Sequence, residues 1–289
     1  MTTPLITARG LRKRFGRQEV LHGLDFDIEE GQIVGLIGPN GAGKTTVLKA
    51  ILGLQPCDGE LSVLGLNPYT QRSQLMQEVC FIADVATLPG WLRVQDLLAM
   101  MPGLHPRFDA SRALDFLERT EVRPKARIKE LSKGMTVQLH LAIVMAIEAR
   151  LLVLDEPTLG LDLLYRKAFY ETLLTDYFDE KRTILVTTHQ VEEIERILTH
   201  LMFIRSGELV LNSSMEDMAD RYLEVLVHPD QVAQAQALQP VYERSMFGKK
   251  VFLFEGQPRD TLSSLGEVHS PSVADLFVAK MAPSSKVAA

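Results

Sequence analysis

Residues 38 to 45 read GPNGAGKT and match G-x-x-x-x-G-K-[ST] at every fixed position. At average composition a chain of 289 residues shows that pattern by chance about once in a hundred, so the flanks decide. QIVGLIG, just before it, is a short apolar run of the kind that forms a strand covered on both faces, and VLKAILGL, just after it, has helical spacing. A strand that feeds a glycine-rich turn and then a helix is a phosphate-binding loop. Its glycines let the backbone curl so that successive N–H groups face one phosphate, and the helix N-terminus adds partial positive charge. The motif commits the chain to an α/β sheet with a ligand at the C-terminal ends of its strands.

The rest of the chain agrees. ITARGLRKRF and VLHGLDFDIEEG alternate like paired strands, with Glu30-Gly31 as a turn, and CDGELSVLG adds another strand. VCFIAD, LLVLDEP and TILVTTH are buried-type strands, the last two followed by helical patterns. From Leu92 to Val122 the pattern is mostly helical, with Val94, Leu97, Leu98 and Met101 on one face and Asp109 as N-cap of ASRALDFLERT. The expected fold is a P-loop NTPase of the α/β class: a mostly parallel core sheet, an N-terminal antiparallel β subdomain, and a helical insert over about residues 86–150. After about Asn212, YLEVLVH, VYERSMF, KVFLFEG and the final helix SVADLFVAKM predict a small α+β domain, dividing the chain into 1–212 and 213–289.

The second half of a nucleotide site belongs at the end of a neighbouring strand. In LLVLDE four apolar residues build the strand, and Asp155 and Glu156 emerge where it leaves the sheet. Lys44 would reach the β- and γ-phosphates, the Thr45 hydroxyl and Asp155 would hold Mg²⁺, and Glu156 would act as general base on an attacking water. His189 ends the strand TILVTTH and is placed to hydrogen-bond either the γ-phosphate or that water.

With these residues in place, the chain resembles the ATP-binding subunit of an ABC transporter over roughly residues 5 to 212. GPNGAGKTT looks like the Walker A motif, LLVLDEP like Walker B, PTLGLD like the D-loop and His189 like the switch histidine. The resemblance implies an ATP site formed by Gly38, Pro39, Asn40, Gly41, Ala42, Gly43, Lys44, Thr45 and Thr46. It places Asp162 in the D-loop, and Phe15 where the family stacks an aromatic ring on adenine, although Phe15 alone reads equally well as core. LSKGM, at residues 131–135, falls where the family has its signature LSGGQ, which caps the ATP held by a second subunit. Ser132 and Gly134 are kept for that contact. Lys133 and Met135 depart from it, and the lysine either contacts phosphate or points to solvent. Asp84 stands where the family has a glutamine that senses magnesium and the membrane partner; an aspartate is shorter, and reaches Mg²⁺ through a water.

The resemblance therefore implies an ATPase with ATP and Mg²⁺ as its ligands, a second nucleotide-binding subunit as homodimer or heterodimer, and a transmembrane permease on which the helical insert docks. Such a subunit sits in the cytoplasm, peripheral to the membrane, and the C-terminal domain is similar to tails on bacterial export-type members. The rival readings are a soluble ABC ATPase acting on ribosomes or DNA, and a regulator without hydrolysis. A single P-loop and the lack of sustained heptads oppose the first, and the intact Lys44, Asp155, Glu156 and His189 oppose the second. The bulk properties fit: a net charge of −6 with no long basic run opposes a nucleic-acid partner. MTTPLITARG lacks the order of a signal peptide, and no apolar run approaches the roughly 20 residues a membrane helix needs. Cys57 and Cys80 have no metal spacing and read as two buried thiols.

Overall fold

The computed structural model describes residues 4–83, 88–159, 163–179, 181–189, 191–246 and 248–282. Asp84 and Asp162 lie outside the described residues. The chain forms two compact units, Met1–Leu198 with Ile204–Leu209, and Thr199–Phe203 with Val210–Ala289.

The first unit opens with a hairpin. Strands β1 (Ile6–Phe15) and β2 (Gln18–Ile28) pair antiparallel, closing at Phe15 opposite Gln18. Leu24, Phe26 and Ile28 alternate inward with the period of two that one buried face requires. Next come β3 (Ile33–Ile37), α1 (Lys44–Ile51) and β4 (Asp58–Val63), which pairs with β1 to give the sheet order β2-β1-β4. Helix α2 (Arg72–Leu75) leads into β5 (Val79–Ile82). The helical segment holds α3 (Val94–Leu104), α4 (Ala110–Leu117) and α5 (Lys133–Met145). Asp109 caps α4 by accepting the N–H groups of Ser111 and Arg112, and Ser132 caps α5 by accepting that of Met135 at 3.2 Å. In α3, Val94, Leu97 and Leu98 of the expected stripe are buried, and Met101, a turn further on, is only partly so.

Next along the chain come β6 (Leu151–Asp155), α6 (Leu163–Thr172), β7 (Thr183–Thr188) and α7 (Val191–Ile194), then β8 (His200–Arg205) and β9 (Glu208–Ser214), whose residues divide between the two units. The core sheet runs in the order β5-β6-β7-β3-β8-β9. Its strands β5, β6, β7 and β3 are parallel, and every residue of β3, β6 and β7 is buried. That burial explains why these strands read as largely apolar runs rather than alternating ones, with Asp155, Thr187 and Thr188 as polar exceptions at the C-terminal strand ends. The register positions the site: Asp155 lies opposite Thr187, and Ile37 opposite Thr188, so β3, β6 and β7 end together. VEEIERIL, read as a helix, gives a single helical turn followed by a tighter 3₁₀ turn at Glu195–Ile197. There Ile194 and Leu198 crowd over Gly35 of β3, where an added Cβ would lie 2.8 Å from Leu198.

In the second unit, α8 (Met215–Arg221) precedes β10 (Tyr222–Val227), α9 (Val232–Ala237), β11 (Tyr242–Met246), β12 (Lys249–Glu255), α10 (Arg259–Ser263), β13 (Gly266–His269) and α11 (Val273–Met281). The sheet order is β11-β12-β10-β13 with all neighbours antiparallel, so β10 to β13 form the β-α-β-β-α-β arrangement of ferredoxin-like folds. Leu223, Val225, Val227, Phe252 and Phe254 line one face of the sheet and pack with Ala235 of α9 and Leu262 of α10. Glu224 and Glu255, one register step away, are bound through the opposite face's ion pairs. Arg244 bridges Glu224 (2.6 Å) to Asp275 of α11 (2.7 Å), and Lys280 of α11 meets Glu255 at 3.0 Å. No helix among the described residues is long and apolar enough to cross a membrane.

Candidate nucleotide-binding site

The loop between β3 and α1 is shaped by its glycines. Gly41 and Gly43 take φ values of +80° and +112°, which side-chain-bearing residues rarely adopt. At Gly38 a Cβ would fall 2.4 Å from the carbonyl oxygen of Ile204. The first amide of α1 to reach back along the helix is that of Val47, which donates to Gly43 O at 3.0 Å. The N–H groups of Lys44, Thr45 and Thr46 precede it in the first turn, where an α-helix supplies no intrahelical acceptor.

The Lys44 side chain is 8% exposed, and its ammonium donates to Gly38 O at 2.6 Å and lies 3.7 Å from Glu156 Oε1. These partners offset the cost of burying a cation. Asp155, at the end of β6, accepts from Thr45 Oγ1 at 3.4 Å on one oxygen and from Thr187 Oγ1 at 2.6 Å on the other. Glu156 follows with φ +49°, its N–H donating to Thr187 O at 3.1 Å and to Thr187 Oγ1 at 3.2 Å. Its carboxylate accepts from His189 Nδ1 at 2.8 Å. A carboxylate only accepts, so this bond places the proton on Nδ1 and makes Nε2 an acceptor in the neutral ring.

These groups line an open cleft of about 540 Å³, walled by residues 39–46 with Val20, Asp155, Glu156, Leu159 and His189. Gly38 sits behind it through its bond to Lys44. Thr45 and Asp155 present hard oxygen donors to one spot, the chemistry that magnesium requires. Leu159 belongs to the PTLGLD stretch, whereas Val20 carries no signal beyond being apolar, and Thr187, a threonine in TILVTT, reads only as a good strand former.

Phe15 is 47% exposed, which removes the core reading; it does not line the cleft, and Lys13 Nζ lies 5.3 Å from its ring centroid. Ser132 and Gly134 lie outside the cleft as well. Ser132 and Lys133 are not buried, whereas Gly134 is buried against the ring of Tyr165, whose Cζ would stand 2.3 Å from an added Cβ. Cys80 is buried but Cys57 only half-buried, and both are free thiols.

Residues 21–159 match the family model described as ABC transporter. The chain is 34% identical over 275 residues to the Nod factor export ATP-binding protein I of Cupriavidus metallidurans, covering 91% of this chain and 90% of that one. It is 26% identical over 221 residues to the ABC transporter ATP-binding protein YtrB of Bacillus subtilis, covering 76% of each. Among solved structures, one described as the ATP binding subunit of an ABC transporter superposes with a TM-score of 0.67 at 26% identity, over 75% of this chain and 92% of the other. A nucleotide-free ATP-binding cassette superposes with a TM-score of 0.64 at 17% identity, a likeness of fold. By its loop, its strand-end carboxylates and these relatives, the chain belongs to the ABC transporter family, as one of its ATP-hydrolysing, ATP-binding subunits.

Proposed function

We propose that the cleft holds ATP with Mg²⁺, that two nucleotide-binding subunits close around two ATP molecules, and that hydrolysis drives a membrane permease in the direction of export. The observation that carries this reading is the meeting of Lys44, Thr45, Asp155, Glu156 and His189, from three adjacent strand ends, in one cleft.

The loop amides and the first-turn amides of α1 bind the β- and γ-phosphates, and Lys44 turns its ammonium from Gly38 O to their oxygens. Thr45 and Asp155 would hold Mg²⁺, which would supply positive charge to offset the negative charge of the phosphates. Glu156 takes a proton from water as the water oxygen bonds to the γ-phosphorus. The bond from that phosphorus to the β-phosphate oxygen breaks, and ADP and phosphate leave. His189 holds the Glu156 carboxylate through Nδ1–H and offers Nε2 as an acceptor to the same water, so accepting from water is the role its neutral ring can fill. The exposed ring of Phe15 offers a face to adenine. Ser132 and the N-terminal amides of α5 cap the γ-phosphate of the nucleotide held by the other subunit.

Three observations support a transport role. Trp91, Met100 and Leu104 of the helical segment are exposed apolar side chains, 72%, 49% and 69% accessible, of the kind a permease would cover. The Cupriavidus relative, named an export protein, aligns over 275 residues, a span that continues past the first unit. The net charge of −6 opposes a nucleic-acid partner. Held by such a permease, the subunit is peripheral on the cytoplasmic face.

The test is a pair of variants. Lys44→Ala should abolish ATP binding by calorimetry, and Glu156→Gln should bind ATP while hydrolysing it at least ~10²-fold more slowly. Unchanged affinity in the first, or wild-type turnover in the second, overturns the assignment.

A further inference from the structure

Thr187 stands in the centre of the core sheet, opposite Asp155 on β6 and Leu36 on β3, with 0% exposure. A valine would fill nearly the same volume without burying a hydroxyl, so the hydroxyl must be explained by what it bonds. It bonds the backbone or side chain of both strand-end carboxylate residues. Oγ1 donates to Asp155 Oδ1 at 2.6 Å and accepts the N–H of Glu156 at 3.2 Å. The first bond fixes the rotation of the Asp155 carboxylate, leaving Oδ2 toward Thr45 at 3.4 Å. The second, with the Thr187 carbonyl at 3.1 Å, holds Glu156 at φ +49°, a left-handed conformation that is unfavourable for a glutamate. In that conformation the Glu156 carboxylate meets His189 Nδ1 at 2.8 Å and lies 3.7 Å from Lys44 Nζ.

We infer that Thr187 is a positioning residue: its one hydroxyl sets the metal-facing oxygen of Asp155 and the turn that aims Glu156, tying metal binding and proton removal to the same atom. The inference rests on the proposed nucleotide site. It assigns Thr187 no contact with substrate; its effects pass through Asp155 and Glu156.

The experiment compares Thr187→Val, which keeps the shape and loses the hydroxyl, with Thr187→Ser, which keeps the hydroxyl. ATPase kinetics are measured together with ATP affinity by calorimetry, with Mg²⁺ and in EDTA, and Glu156→Gln serves as the reference. Loss of a partner behind a metal ligand typically costs ~10–100-fold, so Thr187→Val should lower kcat by that factor. ATP affinity should fall about tenfold in Mg²⁺ and stay level in EDTA, and Thr187→Ser should recover both to within about threefold. Wild-type behaviour of Thr187→Val, equal loss of affinity with and without Mg²⁺, or equal impairment in Val and Ser would overturn the inference. Each of those results leaves the nucleotide site standing as long as Glu156→Gln is slow. Rapid turnover by Glu156→Gln would instead remove the site reading itself. Should Thr187→Val fail to fold, Thr187→Ala carries the same comparison.

Discussion

Gly134 carries two demands at one atom. The proposed contact with a second subunit's nucleotide needs an open helix start, and the fold requires room for a neighbouring ring, since Tyr165 Cζ would stand 2.3 Å from any Cβ there. Gly134→Ala should therefore push the Tyr165 ring aside or strain α5, costing about 1–3 kcal/mol as overpacking does. Denaturant titration of Gly134→Ala, Tyr165→Ala and the double variant checks this. The double variant should recover most of the loss, and strict additivity would mean that the ring is not the obstacle. His189 shows the same economy: its bond to Glu156 fixes its tautomer, so His189→Ala should lower kcat by ~10²–10³ while leaving ATP affinity within a few-fold. Turnover within a few-fold of wild type would show that Glu156 needs neither its orienting partner nor the Nε2 acceptor.

At the level of the elements, burial decides what was legible. GPNGAGKT was readable because its glycines are required by the backbone itself, at φ +80° and +112°, and because β3 and α1 carry long enough patterns to identify. Helices α9 and α10, of 6 and 5 residues, are too short to display a 3.6-residue period, and β13, of 4 residues, resembles any loop. The ferredoxin-like order of the second unit thus emerged only from pairing. Thr187 escaped for a related reason: its partners are set by the register of β7 against β6, which no local pattern encodes. The pairing of β5 with β6 likewise settles Cys80. Burial there pushes its thiol up to about 12, while Cys57, half-buried, is raised less completely by the same cause and opposed by Lys13. At pH 8 the reactive thiolate of Cys80 is then only about 10⁻⁴ of the total. Native protein should give at most one slowly reacting thiol with Ellman's reagent, and two after denaturation. Cys57→Ser should abolish the native reaction, and persistent labelling of that variant would show that β5 opens.

For the whole molecule the decisive arrangement is that the cleft and the LSKGM helix start lie apart in one chain. The cleft holds the loop, both carboxylates and His189, whereas Ser132 and Gly134 line none of it. The Ser132 cap of this helix start is open to solvent, with the Met135 N–H taken by its hydroxyl, and in the proposed sandwich the helix start faces the nucleotide of a second subunit, which supplies the other half of the site. If so, nucleotide and dimer are thermodynamically linked: ATP stabilises the dimer, and the dimer tightens ATP. In Glu156→Gln, where hydrolysis no longer dissolves the complex, light scattering should move from monomer to dimer mass on adding ATP and Mg²⁺. Ser132→Arg in that background removes the hydroxyl that accepts the Met135 N–H and sets a bulky cation at the helix start. It should leave ATP binding to the single chain within a few-fold of the parent, because Ser132 touches nothing in the cleft, and yet block the shift to dimer mass. If the Ser132→Arg protein dimerises as well as its parent, the interface lies elsewhere, and a loss of ATP binding by the monomer would mean that Ser132 supports its own cleft rather than its partner's.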